Sequence, residues 1–333
     1  MFRQRERRRS ITRISALSLL ALAATMAGIA APSAVAAGVT PRTGVQAAPG
    51  GRLVVLLSAP SKGALLTQVA TVPAGGGTPR RLGPPAAYLG VAAPRRAGPL
   101  ALGSPQGLYL LPLASGRPSR LRPAGAPAQL SNPTWSPDGR RLAFLASPVT
   151  RQGRRATMGL PALWLADRSG RDARQALDAT HTADLLTVAW APDGKALLLS
   201  RFARGQGAVS TLDLSSRRER VLTRGFDAVY APDGRSFAYT VRGKPGQARV
   251  WIFDMRARRG RQLAAPGLAQ TATPVWSPDG KTLAFFGTRA AAPTFIQPYD
   301  LWTVAATGGA PRRVAANVTR LLPVGQEALA WTS

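Results

Sequence analysis

A seven-residue segment that combines an aromatic residue with proline, aspartate and glycine recurs along the chain, and this repeat restricts the fold more than any other feature. Each of the four strongest copies precedes a short apolar run. The copies are residues 134–140 (TWSPDGR), 189–195 (AWAPDGK), 229–235 (VYAPDGR) and 275–281 (VWSPDGK). Self-similarity at a fixed spacing is the signature of a repeat architecture, in which one small unit is stacked many times.

The motif has the chemistry of a hairpin turn. Proline fixes φ at the first turn position, aspartate accepts backbone N–H groups through its own carboxylate, and glycine supplies a left-handed residue. We therefore predict that each copy joins two antiparallel strands and that its residues have a structural role. The predicted turn residues are Pro137, Asp138, Gly139, Pro192, Asp193, Gly194, Pro232, Asp233, Gly234, Pro278, Asp279 and Gly280.

A second hairpin lies between successive copies, so the unit contains four short strands. Weaker copies around Pro49, Pro94 and Pro323 extend the series to a mean spacing of about 46 residues, the length of a propeller blade. The sequence therefore predicts an all-β fold, a β-propeller of four-stranded antiparallel blades. Seven motif-bearing hairpins favour seven blades, with residues 38–43 lending a strand to the last one. Six blades, with one terminal hairpin dispensable, is the alternative.

The pattern of aromatic, Ser/Ala, Pro-Asp-Gly and a basic residue, then an apolar strand, Leu-Trp and Gly-Gly-x-Pro-Arg-Arg-Val, resembles the WD-like repeat of TolB-type propellers. The strong copies cover about residues 105–317, within a single predicted propeller domain at 37–333. The resemblance implies an interaction role at the cell envelope, with a protein partner such as a peptidoglycan-associated lipoprotein. TolB-type proteins also have an α/β domain before the propeller, and we expect this domain to be missing here.

Residues 1–36 have the three parts of an export signal. A start rich in arginine is followed by an apolar run from Ile14 to Ala31, and Ala34-Val35-Ala36 forms a small-x-small cleavage pattern. We expect cleavage near Ala36 and an exported protein, periplasmic or secreted, with no membrane span in the mature chain. An uncleaved anchor is the alternative, and the sequence leaves open whether export follows the Sec or the twin-arginine route.

The composition excludes several kinds of chemistry. The chain has no cysteine and a single histidine, His181, so thiolate sites, iron–sulfur clusters and multi-histidine metal centres are ruled out. No Gly-x-Ser-x-Gly elbow or Gly-x-x-x-x-Gly-Lys phosphate loop is present. We therefore predict no catalytic residue, no metal, no cofactor and no enzyme activity. An enzyme acting on a carbohydrate or an ester stays as an alternative, and it would need at least two carboxylates in the central channel.

Arginines cluster at the second hairpin of the repeat, and the formal net charge is +29. Both kinds of turn emerge on one face of a propeller, so these side chains should form a basic rim that is either simply solvated or a docking surface. The candidate rim residues are Arg80, Arg81, Arg117, Arg120, Arg217, Arg218, Arg258, Arg259, Arg312 and Arg313. The rim makes an anionic envelope polymer an alternative partner, whereas export argues against nucleic acid. We expect a monomer.

The repeated aromatic residues and the segment at 147–161 also have predicted structures. Trp135, Trp190, Tyr230 and Trp276 recur at one blade position, which favours packing between blades over a sugar-binding platform. Residues 147–161 are rich in arginine, glycine and proline, and we predict a long loop there whose role the sequence leaves open.

Overall fold

Every regular element in the described part of the chain is a β-strand. The structure is a computed structural model, and it describes residues 50–59, 66–127, 129–152, 155–178, 184–203, 206–243, 247–290, 296–321 and 328–332. All of these residues belong to one compact unit, formed by residues 46–60 and 66–333. The predicted export signal at 1–36, the expected strand at 38–43 and His181 lie outside the described residues.

The strands follow the short apolar runs that alternate with turn residues in the sequence. The first thirteen are β1 (Arg52–Ala59), β2 (Leu66–Pro73), β3 (Arg80–Ala86), β4 (Gly90–Ala92), β5 (Leu100–Ser104), β6 (Gly107–Leu111), β7 (Ser119–Leu121), β8 (Gln129–Trp135), β9 (Arg141–Ser147), β10 (Val149–Gln152), β11 (Arg155–Met158), β12 (Ala162–Asp167) and β13 (Arg174–Leu177). The remaining thirteen are β14 (Asp184–Trp190), β15 (Ala196–Ala203), β16 (Gln206–Asp213), β17 (Glu219–Thr223), β18 (Phe226–Tyr230), β19 (Ser236–Arg242), β20 (Ala248–Asp254), β21 (Arg259–Gln262), β22 (Gln270–Trp276), β23 (Thr282–Thr288), β24 (Ile296–Ala305), β25 (Arg312–Leu321) and β26 (Leu329–Thr332).

These strands form antiparallel blades of four. Four sheets have the orders β26-β1-β2-β3, β14-β15-β16-β17, β18-β19-β20-β21 and β22-β23-β24-β25. The largest sheet consists of two further sets, β4-β5-β6-β7 and β8-β9-β12-β13, which are joined through the pairing of Ser104 with Leu130. The described residues thus form six blades, numbered 1 to 6 in chain order, each with an inner, a second, a third and an outer strand.

The inner strands close a ring. Along this ring, β26 contacts β4, and contacts continue through β8, β14, β18 and β22 back to β26. The all-β propeller prediction is therefore confirmed, because a closed ring of four-stranded blades defines that fold.

The described residues close the ring with six blades, so the preference for seven blades is wrong and the six-blade alternative fits them. The weak copy around Pro323 predicted a hairpin and a blade of its own. Instead, β25 continues to Leu321 as the outer strand of blade 6, and β26 pairs with β1 as the inner strand of blade 1. The weak copies around Pro49 and Pro323 therefore belong to one blade, although the sequence analysis counted them as two.

The aromatic residues of the repeat lie between neighbouring blades, as the sequence predicted. Trp190 and Trp276 are 5% and 7% exposed, and each indole N–H donates to a backbone carbonyl of the preceding blade. The Nε1 of Trp190 lies 3.2 Å from the oxygen of Thr134, and that of Trp276 lies 3.2 Å from the oxygen of Val229. Each ring thus contributes both apolar contact and a directional bond between blades.

The predicted long loop at 147–161 is instead largely a hairpin. Strands β10 and β11 pair antiparallel, with Val149 opposite Met158 and Gln152 opposite Arg155. The hairpin is inserted between β9 and β12, the second and third strands of blade 3. The β-branched residues Val149, Thr150 and Thr157 favour strands, which explains why the segment can pair despite its glycine and proline.

Candidate binding face and central cavity

The four Pro-Asp-Gly turns have nearly identical geometry. In each, the glycine N–H donates to the carbonyl of the residue before proline at 2.9 or 3.0 Å. The aspartate Oδ1 accepts the N–H of the residue after glycine, as in the 3.0 Å bond from Arg140 to Asp138. The glycines have φ of 70° or 71°, a left-handed conformation that a residue with a Cβ adopts only at a cost.

Two of these turns carry an additional serine. The Ser136 hydroxyl donates to Asp138 Oδ1 at 2.6 Å, and the Ser277 hydroxyl donates to Asp279 Oδ1 at 2.5 Å. The serine bond and the backbone N–H that follows glycine lower the pKa of both aspartates below the usual value. Hydrogen bonds to the charged form of a carboxyl group favour that form.

The outer turns, which join the third and outer strands, lie beside the Pro-Asp-Gly turns. In blades 3 to 6 the residue after the third strand donates its N–H to the carbonyl of the residue after glycine. These bonds run from Arg168 to Arg140, from Leu214 to Lys195, from Met255 to Arg235 and from Ala306 to Lys281, at 2.8–3.0 Å. Both sets of turns therefore lie on one face of the propeller, which we call the turn face.

All ten arginines of the predicted rim are exposed at the outer turns or at the start of the outer strands. Arg81 donates to Gln68, Arg120 to the carbonyl of Gln106 and Arg312 to the carbonyl of Ala74, while Arg313 pairs with Asp300. The other six side chains have no hydrogen-bond or ion-pair partner among the described residues, namely Arg80, Arg117, Arg217, Arg218, Arg258 and Arg259. Their role in binding stays a prediction.

A central cavity of about 310 Å³ lies within the ring of inner strands. Its wall includes the residues that precede the repeated aromatic residues, and these are small or β-branched. They are Thr134, Ala189, Val229 and Val275. Prolines of the turns line it as well, together with Arg95, whose pKa is lowered by burial. The cavity wall is thus of mixed polarity, with few charged groups.

Buried polar residues lie deeper in the ring, at a bulge in the inner strands. Asn132, Thr187, Asp227 and Thr273 each stand three residues before the repeated aromatic residue, and all are at most 7% exposed. The strand pairing shifts at each of these positions. A bulge turns a side chain away from the normal alternation of a strand.

Asp227 is the carboxylate of this layer. Its Oδ2 lies 3.5 Å from the hydroxyls of Thr240 and Thr273. It is the only carboxylate among the described residues that line the cavity, so the pair that a glycosidase-type site requires does not occur among them. Sequence analysis left Asp227 without a role, although a polar residue in an apolar strand, three positions before the aromatic residue, was a signal that could have found this layer.

The described residues contain neither a metal-ligating cluster nor a membrane-spanning helix. No group of three or more His, Asp or Glu side chains is positioned there to hold a metal ion. That part of the chain also contains no helix long and apolar enough to cross a bilayer.

The ring is similar to solved propellers. TolB from Acinetobacter baumannii superimposes with a TM-score of 0.62 at 19% identity, over 87% of this chain and 69% of that chain. The fold is a TolB-like β-propeller. A TolB candidate from Agrobacterium tumefaciens gives a TM-score of 0.57 at 18% identity, over 73% of this chain and 90% of the other.

Curated relatives match shorter segments of the TolB-like chain. The Tol-Pal system protein TolB of Anaeromyxobacter dehalogenans (strain 2CP-1) is 30% identical over 95 residues, and the uncharacterized peptidase YuxL of Bacillus subtilis (strain 168) is 26% identical over 177 residues. The chain spans 21% of the length of the first and 24% of the second. No family model matches the chain.

Proposed function

We propose that the protein is a non-enzymatic, exported TolB-like propeller that acts as a protein-interaction scaffold at the cell envelope. The observation that carries this proposal is that all the turns described above gather on one face, around a cavity with a single described carboxylate. The basic and apolar segments of residues 1–36 support export. The similarity to a Tol-Pal system protein supports an envelope partner, with a peptidoglycan-associated lipoprotein as the first candidate.

The chemistry of the cavity favours an extended segment of a partner protein. Its wall offers apolar side chains together with the hydroxyls of Thr134, Thr187 and Thr273. Binding pockets are usually mainly apolar, with a few polar groups that fix orientation. The turn prolines hold the cavity entrance rigidly, which reduces the entropy lost on binding.

Single-cysteine variants test this proposal directly, because the chain has no cysteine of its own. Arg235→Cys places a photo-crosslinker on the turn face, and Ala290→Cys places it beyond the other end of β23, on the opposite face. With envelope extract of the source organism, we expect Arg235→Cys to give a saturable crosslinked product and Ala290→Cys to give none.

A cavity-filling variant shows whether the partner enters the ring. Ala189 lines the cavity and is half-buried, so Ala189→Trp should reduce the crosslinked product at least tenfold without unfolding the protein. Equal labelling from the two faces, or labelling that never saturates, would count against a specific docking face. Turnover of a carbohydrate or an ester by the purified protein would support the enzyme alternative.

The exposed arginines favour a second function, binding of an anionic envelope polymer through the rim. Arg80, Arg117, Arg217, Arg218, Arg258 and Arg259 have no ion-pair partner among the described residues, so their positive charge is uncompensated there. Release of counterions would make the affinity for dextran sulfate fall steeply, by about a thousandfold for six contacts, between 50 and 200 mM salt. An affinity that does not change with salt would exclude this function.

A further inference from the structure

We propose that a cleft between blades 3 and 4 binds a small organic phosphate, a phosphate group carried on an apolar body. The cleft has a volume of about 520 Å³, which is in the size range of small-molecule sites. It opens beside the outer turn of blade 4 and is distinct from the central cavity. Its wall combines basic side chains, Arg141, Arg174, Lys195 and Arg217, with apolar ones such as Leu165 and Leu212.

Four cationic side chains surround the cleft. Arg174, Lys195 and Arg217 are exposed, whereas Arg141 is half-buried and held in place. The Cζ of Arg141 lies 4.8 Å from the centroid of the Trp190 ring, and its Nη2 donates to the carbonyl of Gly194 at 3.5 Å. A guanidinium stacked on an aromatic ring is already ordered, so it loses less entropy when it binds an anion.

The floor of the cleft is apolar. Leu165 and Leu212 are 5% and 2% exposed, and they belong to the core between blades 3 and 4. Ala176 and Leu214 are half-buried beside them. A bare inorganic anion would leave the exposed parts of Ala176 and Leu214 uncovered, whereas an anion with an apolar body would cover them.

Asp213 is the only acidic residue among the described residues of the cleft, and its carboxylate is engaged elsewhere. Its Oδ1 accepts hydrogen bonds from the N–H and hydroxyl groups of Ser215 and Ser216, at 2.6–3.0 Å. These bonds lower the pKa of Asp213 to about 2. The carboxylate therefore stabilises the outer turn, and four cations against one anion leave the cleft positive.

Arg217 has an unusual backbone conformation. Arg258 has nearly the same conformation outside the cleft, so it can serve as a matched control. Its φ is 56°, in the left-handed region where the outer turn of blade 3 has Gly170. Arg258 in the outer turn of blade 5 has nearly the same φ, 55°, and is also exposed without a side-chain partner among the described residues, but it does not line the cleft. The same substitution at the two positions thus changes the same kind of turn and the same charge.

Calorimetric titration with phenyl phosphate tests the cleft. We expect one molecule to bind per chain, and we expect inorganic phosphate to bind at least tenfold more weakly because it cannot cover the apolar floor. The double variant Arg174→Gln/Arg217→Gln should weaken phenyl phosphate binding by about a hundredfold, since it removes two charge-assisted bonds. The control Arg256→Gln/Arg258→Gln removes the same charge in blade 5 and should change the affinity less than twofold.

A steric variant tests the cleft without changing its charge, and its thermal unfolding shows whether the protein is still folded. Ala176→Phe fills the floor and should abolish phenyl phosphate binding while the thermal unfolding midpoint stays near that of the original protein. Equal loss in the cleft and control double variants would overturn the proposal, and so would equal binding of phenyl phosphate and inorganic phosphate. The cleft does not depend on the proposed docking function, because crosslinking from Arg235→Cys does not require it.

Discussion

Ser136 and Ser277 distinguish two of the repeated turns from the other two. Ser136 is 1% exposed; its hydroxyl donates to Asp138 and accepts the N–H of Arg141 at 2.9 Å. Blade 4 has alanine at this position, Ala191, and forms the same backbone turn without the hydroxyl. The hydroxyl therefore adds stability to a turn that proline, aspartate and glycine already specify.

Replacement of Ser136 by alanine should destabilise the protein by about 1–2 kcal/mol, because the two hydrogen bonds of a buried hydroxyl are lost. Chemical unfolding at pH 7 measures this difference. The reverse change, Ala191→Ser, offers the same bonds to blade 4 and should raise the unfolding midpoint. A neutral Ser136→Ala together with a destabilising Ala191→Ser would show that the hydroxyl does not contribute to the turn.

The effect of Ser136→Ala should depend on pH. The pKa of Asp138 is lowered in the folded state, so its contribution to stability is complete above the unfolded pKa of about 4. That contribution is lost as the pH falls through the lower, folded pKa. Unfolding at a series of pH values should therefore show the difference between Ser136→Ala and the original protein narrowing below about pH 4. A difference that stays constant down to pH 2 would contradict the charged hydrogen bond.

The pairing of β26 with β1 closes the ring through the two ends of the chain. Arg52 pairs with Thr332 and Val55 with Leu329, and the indole N–H of Trp331 donates to the carbonyl of Gly50 at 3.1 Å. Trp331 lines the central cavity from the inner strand of blade 1, as Trp135 and Trp276 do from theirs, but its indole bonds within its own blade. The stability of the ring should depend on this short strand, because no hairpin turn connects β26 to β1. Only the strand pairing and side-chain packing hold the two together.

Gly51 is the position most sensitive to substitution at this junction. Its φ is 85°, and a Cβ added there would lie 2.2 Å from the carbonyl oxygen of Thr332. Gly51→Ala should therefore separate β26 from β1 and lower the thermal unfolding midpoint by about 5 °C or more, since this corresponds to about 2 kcal/mol in a chain of this size. Gly50→Ala is the control, because its Cβ would meet nothing within 4 Å. Similar midpoints for the two variants would rule out this packing.

The local parts of the fold could be predicted from the sequence, whereas its closure could not. The Pro-Asp-Gly turns depend on neighbouring residues, so their chemistry is visible in the order Pro137, Asp138, Gly139. The closure depends on two segments at opposite ends of the chain, and no local pattern shows that Trp331 completes the blade that begins at Arg52. The polar layer at Asp227 and the cleft beside Arg217 depend on a bulge and on adjacent blades, which a linear motif does not show.

The six blades form a closed ring that gathers its turns on one face. Inner strands meet around the ring, while the turn face collects the Pro-Asp-Gly turns, the arginine rim and the cleft between blades 3 and 4. The number of blades determines which residues lie on that face and which line the cavity. Closure of the ring by β26 therefore determines the composition of both the face and the cavity.

A disulfide between β1 and β26 tests whether β26 closes the ring. Leu56 donates its N–H to the carbonyl of Ala328, so the adjacent pair Val55 and Leu329 is a non-hydrogen-bonded pair, whose Cα atoms are about 4.5 Å apart in antiparallel sheets. That separation suits a disulfide. In the otherwise cysteine-free chain, Val55→Cys/Leu329→Cys should oxidise to a monomeric, cross-linked ring that migrates faster on a non-reducing gel, while each single variant should not. A folded double variant that stays uncross-linked under oxidising conditions would contradict the six-bladed closure.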